Sequence, residues 1–256
     1  MGKCISIANQ KGGVGKTTTS VNLASCLGSS KKKVLLLDMD PQGNATSGVG
    51  IDKDEVKYSV YDVLINNTPI SDAIVKTDFE NLWVCPSAID VAGAEVEMVE
   101  IEKREFLLKN ALETIKNNYD FIIIDCPPSL GLLTLNAFVA SDSIIMPIQS
   151  EYYALEGLSQ LTSTIRTVKK QLNPDIEIEG VLLTMYDVRT NLSMLVAEEV
   201  KKYYNDKLYK TVIPRNVRLS EAPSYGQPIN YYDKSSKGCQ CYLKLAKEVI
   251  KKNKKK

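Results

Sequence analysis

Residues 9–18, with the sequence NQKGGVGKTT, combine glycines, lysines and threonines at a spacing suited to binding phosphate. The apolar run before them, residues 4–8, is typical of a buried strand, and the residues after them carry apolar side chains at helical spacing. A glycine-rich turn between a strand and a helix lets backbone N–H groups and the positive helix end approach an anion. Lys16 can then contact the β- and γ-phosphates, and the Thr17 hydroxyl can contact Mg²⁺. We therefore predict a nucleotide site in preference to a solvated glycine turn.

Three aspartates follow apolar runs that are also typical of buried strands. Asp125 follows residues 121–124, and Asp38 and Asp40 follow residues 34–37. Because ligands bind beyond the carboxyl ends of the strands in a parallel sheet, we expect these carboxylates to lie near the phosphates. Asp125 can hold Mg²⁺ there through a bound water. The alternative interpretation of Asp125 is an ordinary turn residue.

The rest of the chain alternates apolar runs with amphipathic ones. Predicted strands cover residues 4–8, 34–37, 82–85, 121–124, 143–148, 178–183 and 209–213. Predicted helices follow the glycine loop and cover residues 103–117, 155–172, 192–204 and 237–251. Continuous apolar strands separated by helices predict an α/β fold with a mostly parallel, twisted sheet and helices on both faces. We expect a single domain over residues 1–250 and a disordered lysine-rich tail over residues 251–256.

Composition indicates a cytoplasmic globular protein and restricts the chemistry. The chain has 256 residues, of which 44% are hydrophobic, and a net charge of +1. No run is long and apolar enough to span a membrane, and the N-terminus lacks the profile of a signal peptide. The chain contains no histidine, which excludes histidine-based acid–base catalysis. Its only closely spaced cysteines are Cys239 and Cys241, which without a second pair do not predict a tetrahedral metal site.

Three separated segments give the chain a specific resemblance to a known family. They are KGGVGKTT at 11–18, LLLDMDPQGNAT at 35–46 and FIIIDCPPSLG at 121–131. With these motifs in this order, the sequence resembles the ParA/Soj partition ATPases. These are P-loop NTPases of the deviant Walker A class, which also includes MinD and the nitrogenase iron protein. The resemblance continues through residues 180–191 and 211–226 and covers the chain to about residue 250.

The resemblance implies a slow ATPase whose active site is completed by a second copy. It implies that Lys11 reaches across a homodimer to the nucleotide of the facing subunit, although on spacing alone a solvated surface lysine explains Lys11 equally well. It places Asp40 beside the attacking water and Asp38 in the outer sphere of the metal, and it makes residues 41–44 and 128–131 switch loops. The predicted contacts with ATP come from Lys11, Gly12, Gly13, Val14, Gly15, Lys16, Thr17, Thr18, Met185, Pro214 and Asn216.

The same resemblance implies non-specific binding to double-stranded DNA of the nucleoid, with contacts assigned to Arg189 and Arg218. The net charge is not that of a constitutive nucleic-acid binder. Dimerisation would, however, double the number of these arginines that can contact DNA, and affinity rises steeply with the number of phosphate contacts. The expected partner is a ParB-type centromere-binding protein that stimulates hydrolysis, and the expected process is segregation of a chromosome or plasmid. Because the loop begins at residue 9, we expect no N-terminal helix-turn-helix region, and we favour the chromosomal form.

Three other functions fit parts of the sequence less well. A membrane-bound ATPase similar to MinD would end in an amphipathic helix that inserts into lipid, whereas this chain ends in lysines. A reductase similar to the nitrogenase iron protein would need cysteines within residues 130–135, where there are none, although Cys239 and Cys241 keep an iron–sulfur role open. A scaffold without turnover would not need the loop lysine together with the strand-end aspartates.

Overall fold

The computed structural model describes residues 2–150 and 154–254, which form one seven-stranded sheet with helices on both faces. The strands are β1 Lys3–Ile7, β2 Val34–Asp38, β3 Val75–Lys76, β4 Leu82–Cys85, β5 Phe121–Asp125, β6 Ser143–Gln149 and β7 Glu177–Thr184. Their order across the sheet is β3-β4-β2-β5-β1-β6-β7. All neighbours are parallel except β3 and β4. The predicted α/β fold is confirmed, and the two-residue edge strand β3 is an addition to the predicted strands.

Helices connect the parallel strands and cover both faces of the sheet. They are α1 Lys16–Ser29, α2 Asn44–Gly48, α3 Val60–Leu64, α4 Ile70–Ala73, α5 Val91–Glu97, α6 Leu107–Glu113, α7 Leu132–Ala140, α8 Ala154–Gln171, α9 Asn191–Tyr204, α10 Val217–Glu221, α11 Ile229–Tyr232 and α12 Lys237–Lys252. Alternate strand residues enter opposite cores: Leu35 packs on the side of α6 to α9, and Leu36 packs on the side of α1 and α12. Burial on both faces explains why the strands are continuous apolar runs.

The segment predicted as a strand at residues 209–213 is not a strand of the sheet. It runs beside β7, and the N–H groups of Tyr209 and Ile213 donate to β7 carbonyls at 3.0 and 2.9 Å. Between them, the N–H groups of Lys210 and Thr211 donate to the Glu248 carboxylate of α12 at 3.1 and 2.9 Å. The strand prediction is wrong because a side chain replaces the sheet as the hydrogen-bond partner.

The helix predicted at residues 103–117 is shorter than expected. The α-helical part is α6, and 3₁₀ turns at Arg104–Phe106 and Lys116–Asn118 flank it. Lys103 has a φ of 55°, in the left-handed region, so an α-helix cannot begin there. The amphipathic pattern therefore identifies the position of the helix and overestimates its length.

The last helix extends beyond the predicted start of the tail. α12 continues through Lys252, whose Nζ donates to the Glu179 carbonyl oxygen at 3.1 Å and lies 4.2 Å from the centroid of the Tyr209 ring. These contacts hold a lysine that composition alone assigned to the tail, and the division into a domain over residues 1–250 and a tail stays a prediction. Residues 255 and 256 of the predicted tail lie outside the described residues. None of the described helices has the length and apolar character needed to cross a membrane.

Replacing Leu245 with alanine tests the packing of α12. The Leu245 side chain is fully buried in the same core as α1. We expect Leu245→Ala to lower the free energy of unfolding by about 2–5 kcal/mol, because it leaves a cavity. The exposed neighbour Lys244→Ala is the control and should change it by less than about 0.5 kcal/mol. Urea denaturation measures both, and equal effects would contradict this packing.

Candidate active site

The loop between β1 and α1 forms an open backbone cradle. Gly13 and Gly15 have φ values of 74° and 85°, in the left-handed region that glycine adopts without strain. A Cβ added at Gly12 or Gly13 would meet nothing within 4 Å, so the space in front of them is open. α1 begins at Lys16, and no described side chain caps its N-terminus. The first N–H groups of α1 therefore have no side-chain cap among the described residues, and they are suited to bind an anion.

Lys16 lies in this cradle with a buried side chain. Its Nζ donates to the Lys11 carbonyl oxygen at 3.1 Å. Burial lowers the pKa of Lys16, and the nearby Asp125 and Asp40 carboxylates act in the opposite direction. A phosphate oxygen that replaced the carbonyl would give this buried cation a charged partner and a stronger hydrogen bond.

Asp125 lies beside the cradle at the end of β5 and is fully buried. Its Oδ1 accepts a hydrogen bond from Ser20 Oγ at 2.7 Å, and its Oδ2 has no hydrogen-bond partner among the described residues. Burial raises the pKa of Asp125, the Asp38 carboxylate raises it further, and the Ser20 and Thr17 hydroxyls oppose the increase. An unpartnered buried carboxylate oxygen is costly, so this position favours a cation or its bound water.

The donor set beside the cradle fits magnesium. Mg²⁺ usually takes one or two protein oxygens and completes its octahedron with phosphate and water. Thr17 offers a hydroxyl at the start of α1, and Asp125 offers the unpartnered oxygen. In the described part of the chain, no three His, Cys, Asp or Glu side chains are grouped to hold a metal ion. A magnesium ion bound here would therefore take its remaining ligands from phosphate oxygens and water.

Asp38 faces Asp125 directly across β2 and β5. Its Oδ2 accepts hydrogen bonds from Thr46 N–H and Thr46 Oγ1, both at 2.8 Å, and its Oδ1 accepts one from Asp40 N–H at 3.1 Å. Burial raises the pKa of Asp38, and these hydrogen bonds oppose the increase. Asp38 thus fixes the turn of residues 40–46, and its place in the outer sphere of the metal stays a prediction.

Asp40 begins this turn close to the phosphate loop. Its side chain is nearly buried, and its Oδ1 accepts a hydrogen bond from Gln42 N–H at 3.0 Å. Gly43 has a φ of 61°, which permits the tight reversal before α2. The Asp40 carboxylate lies near enough to Lys16 to raise the pKa of that lysine. The structure therefore brings the predicted residues Lys16, Asp40 and Asp125 together.

The residues predicted for the adenine side lie in two adjacent loops. Met185 follows β7 with a φ of 49°, which is uncommon for a residue other than glycine. Tyr186 forms an isolated parallel bridge with Pro214, which joins the two loops. The Asn216 side chain caps α10, so it already has a role in the local fold. The contacts of Met185, Pro214 and Asn216 with adenine stay predictions.

The two arginines predicted to bind DNA lie outside the cradle and are exposed. Arg189 donates to both Asp187 oxygens, with Nε at 2.9 Å and Nη2 at 2.7 Å. Arg218 forms ion pairs with Glu221 at 2.9 Å and with Asp233 at 3.5 Å. Each guanidinium is therefore oriented by a neighbouring carboxylate in the chain without DNA.

Sequence reasoning missed four polar residues that support the site, namely Asn9, Ser20, Thr46 and Thr184. Ser20 lies one helical turn after Lys16, a spacing that could have identified it as a neighbour of the metal site. Thr46 lies within the second motif, and its contacts with Asp38 carry no separate sequence signal. Asn9 and Thr184 make contacts across 138 and 170 residues, which no local pattern predicts.

Comparisons with known proteins agree with this site. The AAA domain family model matches residues 2–178. The sporulation initiation inhibitor protein Soj of Bacillus subtilis is 65% identical over 97% of this chain and 98% of its own length. The chromosome partitioning protein ParA of Myxococcus xanthus is 54% identical over 99% of this chain and 89% of its own length. The chromosome-partitioning ATPase Soj of Treponema pallidum is 48% identical over 98% of both chains.

Solved structures share the whole fold. Cobyrinic acid a,c-diamide synthase from Mycobacterium smegmatis with bound ADP and magnesium is 38% identical, with a TM-score of 0.85 over 98% of this chain and 95% of that chain. The septum site-determining protein MinD from Pyrococcus horikoshii complexed with Mg-ADP is 30% identical, with a TM-score of 0.83 over 98% of this chain and 97% of that chain. Nucleotide and magnesium in these structures agree with the ligands predicted from the sequence.

The glycine cradle, the buried loop lysine and the aspartates at two adjacent strand ends define a P-loop NTPase. The relatives identify one family within this class, because proteins that align with nearly the whole chain are Soj and ParA proteins. The chain belongs to the ParA/Soj family of chromosome-partitioning ATPases. The family, the fold class and the ATPase class that the sequence predicted are confirmed.

Replacing Asp125 with asparagine should stabilise the nucleotide-free protein, and more at about pH 8 than at about pH 5. The raised pKa of Asp125 means that the folded chain binds a proton that the unfolded chain has released. Stability therefore falls as pH rises from the ordinary aspartate value towards the raised pKa. Asparagine removes the charge and keeps an acceptor for Ser20, so we expect at least about 1 kcal/mol of added stability near pH 8.

Urea denaturation at the two pH values measures this gain. Asp78→Asn, at an exposed position, is the control for losing one negative charge. The same pH-dependent gain in both variants would contradict the assigned burial cost at Asp125.

Proposed function

We propose that this chain is an ATP-dependent switch that binds double-stranded DNA as a homodimer and moves a chromosome during segregation. The observation that carries the proposal is the buried, unpartnered Asp125 oxygen beside Lys16 and the open glycine cradle. This combination suits a magnesium nucleotide, whose phosphates and metal would satisfy both groups at once. The proposed place of action is the nucleoid in the cytoplasm.

In the proposed reaction the residues of the chain position ATP and neutralise its charge. Lys16 exchanges a backbone carbonyl for the β- and γ-phosphates, and the cradle N–H groups bind further phosphate oxygens. Thr17 and Asp125 hold Mg²⁺, which when bound neutralises charge on the same phosphates. Asp40 accepts a hydrogen bond from the attacking water and orients it, and Asp38 holds Asp40 in place through its backbone N–H.

A second copy is the proposed cover for this site. Ile89, Leu130 and Val188 follow the ends of β4, β5 and β7, and they are 80%, 36% and 71% exposed. Because these strands are parallel, all three apolar side chains lie at the edge of the sheet that carries the cradle. Exposed apolar side chains around a site favour an interaction surface. In a face-to-face homodimer, Lys11 at the loop entrance would reach the nucleotide of the facing copy.

DNA binding is proposed for the loops that follow β7 and residue 213. The bridge between Tyr186 and Pro214 holds these loops side by side. Hydrogen bonds from Arg189 and, more weakly, the charge of Arg215 lower the pKa of Asp187, so basic side chains from both loops lie close together. Arg189 and Arg218 are the proposed contacts with DNA phosphates, and pairing of two copies would double the patch.

The proposed partner is a ParB-type centromere-binding protein that stimulates hydrolysis and so releases the dimer from DNA. Repeated release and rebinding would move the partner and its cargo along a gradient of bound ATPase. We favour a chromosome over a plasmid as the cargo, because relatives such as the Myxococcus xanthus protein are chromosome partitioning proteins.

Two substitutions separate nucleotide binding from turnover. Lys16→Ala should abolish ATP binding, because it removes the cation of the cradle. Asp40→Ala should keep ATP and remain on DNA, with turnover reduced on the order of 10²-fold or more. Phosphate release and DNA retention with ATP, with ADP and without nucleotide measure these steps.

The exposed aspartate variant Asp78→Ala is the control for these measurements and should behave as the unmodified protein. Hydrolysis of ATP by Asp40→Ala at the unmodified rate would show that the role assigned to Asp40 is wrong.

Reversing the charge at Arg189 tests the DNA patch. Arg189→Glu should spare dimerisation and weaken DNA binding, and Arg189→Ala should reduce the slope of affinity against salt by roughly one per bound copy. Lys76→Glu is a matched control, because Lys76 is an exposed cation on β3, and β3 and β7 are the two outer strands on opposite sides of the sheet. Fluorescence anisotropy with duplex DNA at several salt concentrations measures the slope. Equal losses in Arg189→Glu and Lys76→Glu would contradict the assignment.

A further inference from the structure

The buried Asn9 side chain extends the sheet into the phosphate loop. The last backbone hydrogen bond between this chain segment and β6 runs from Ala8 N–H to the Ile145 carbonyl oxygen at 3.1 Å. The next contact comes from Asn9 Nδ2, which donates to the Pro147 carbonyl oxygen at 2.8 Å. Asn9 Oδ1 accepts a hydrogen bond from Lys11 N–H at 3.0 Å. A carbonyl on one side and an N–H on the other fix the orientation of the amide.

Thr184 attaches a different part of the same loop to β6. Its buried Oγ1 lies 2.8 Å from the Val14 carbonyl oxygen and 2.9 Å from the Ile148 carbonyl oxygen. Its Cβ and Cγ2 are the atoms that a Cβ at Gly15 would contact, at 3.8 Å. Thr184 therefore holds the middle of the cradle, whereas Asn9 holds its entrance.

One hydrogen bond of the Lys11 backbone is lost in the proposed reaction, and another is kept. Its carbonyl oxygen accepts from Lys16 Nζ, and its N–H donates to Asn9 Oδ1. When Lys16 turns to the phosphates, the bond from the Lys11 carbonyl is released. The bond to Asn9 does not involve Lys16 and remains. Asn9 therefore still fixes the Lys11 backbone at the moment when Lys11 must act.

We propose that Asn9 is the positioning residue for Lys11, so that its effect is exerted at the nucleotide of the facing copy. This inference rests on the proposed function, in which Lys11 acts across a homodimer. Asn9 would therefore support turnover in the neighbour, whereas Thr184 would support nucleotide binding in its own copy. Two residues attached to successive carbonyls of one strand would serve different active sites.

The first expected result is a split between turnover and binding. Asn9→Ala should lower kcat on the order of tenfold, because a misplaced catalytic group loses much of its effect. Its affinity for ADP should stay within roughly twofold of the unmodified value, since the cradle N–H groups and Lys16 are retained. Thr184→Val should instead weaken ADP binding. Phosphate release and titration with a fluorescent ADP analogue measure these quantities.

The decisive test mixes variants before ATP is added. Each of Asn9→Ala, Lys11→Ala and Thr184→Val is combined with an excess of Asp40→Ala, which turns over ATP on the order of 10²-fold more slowly but carries an intact Lys11. Phosphate release is measured per subunit of the first variant, in the presence of duplex DNA. Asn9→Ala and Lys11→Ala should both recover towards the unmodified rate, because the Asp40→Ala copy supplies a correctly placed lysine. Thr184→Val should stay impaired.

The outcomes distinguish this inference from the function on which it rests. Recovery of Lys11→Ala without recovery of Asn9→Ala overturns the role of Asn9 and leaves the lysine in its proposed role. Failure of Lys11→Ala to recover contradicts the action of that lysine across the dimer, and the role of Asn9 with it. Recovery of Thr184→Val as well overturns the division between the two residues. If Asn9→Ala binds no ADP, Asn9→Asp, which keeps the side-chain volume but loses the donor to Pro147, enters the same test.

Discussion

The nucleotide site is built around two buried carboxylates, which lie at directly paired positions of neighbouring strands. Asp38 and Asp125 end β2 and β5 in register, and both are fully removed from water. Hydroxyl and backbone N–H groups satisfy Asp38, but one Asp125 oxygen has no described partner. Like charges in a dry site raise each other's pKa, so the pair favours either a proton or a cation. The chain without nucleotide thus carries a cost that a magnesium nucleotide would remove, which couples ligand binding to stability.

The loops at this edge of the sheet connect the nucleotide site to the proposed DNA surface over a short stretch of chain. Thr184 contacts the phosphate loop, and the next residue, Met185, has a left-handed backbone conformation. Arg189 lies four residues after Met185. The bridge at Tyr186 joins this loop to the one that carries Pro214. These contacts place Arg189 on the same loop as a residue that touches the phosphate loop. Coupling between two sites requires an element with two conformations, and the loop after β7 is shared by the nucleotide site and the proposed DNA surface.

Much of the site was predictable because its signals are local. The glycine loop with Lys16 and Thr17, and Asp125 after an apolar strand, each depend on a few consecutive residues. The support of these residues was not predictable, since Asn9 and Thr184 find their partners only when distant strands meet in the sheet. The same reason explains the error at residues 209–213. The apolar pattern there is that of a strand, but α12 supplies the partner for its backbone through a distant side chain.

In the proposed dimer, two copies enclose two ATP molecules face to face, and each copy provides Lys11 to the site of the other. Sedimentation velocity of the Asp40→Ala protein, saturated with Mg·ATP, tests this arrangement because slow hydrolysis preserves the complex. We expect a dimer with Mg·ATP and a monomer with Mg·ADP or without nucleotide. A protein that stays monomeric when saturated with Mg·ATP would contradict it.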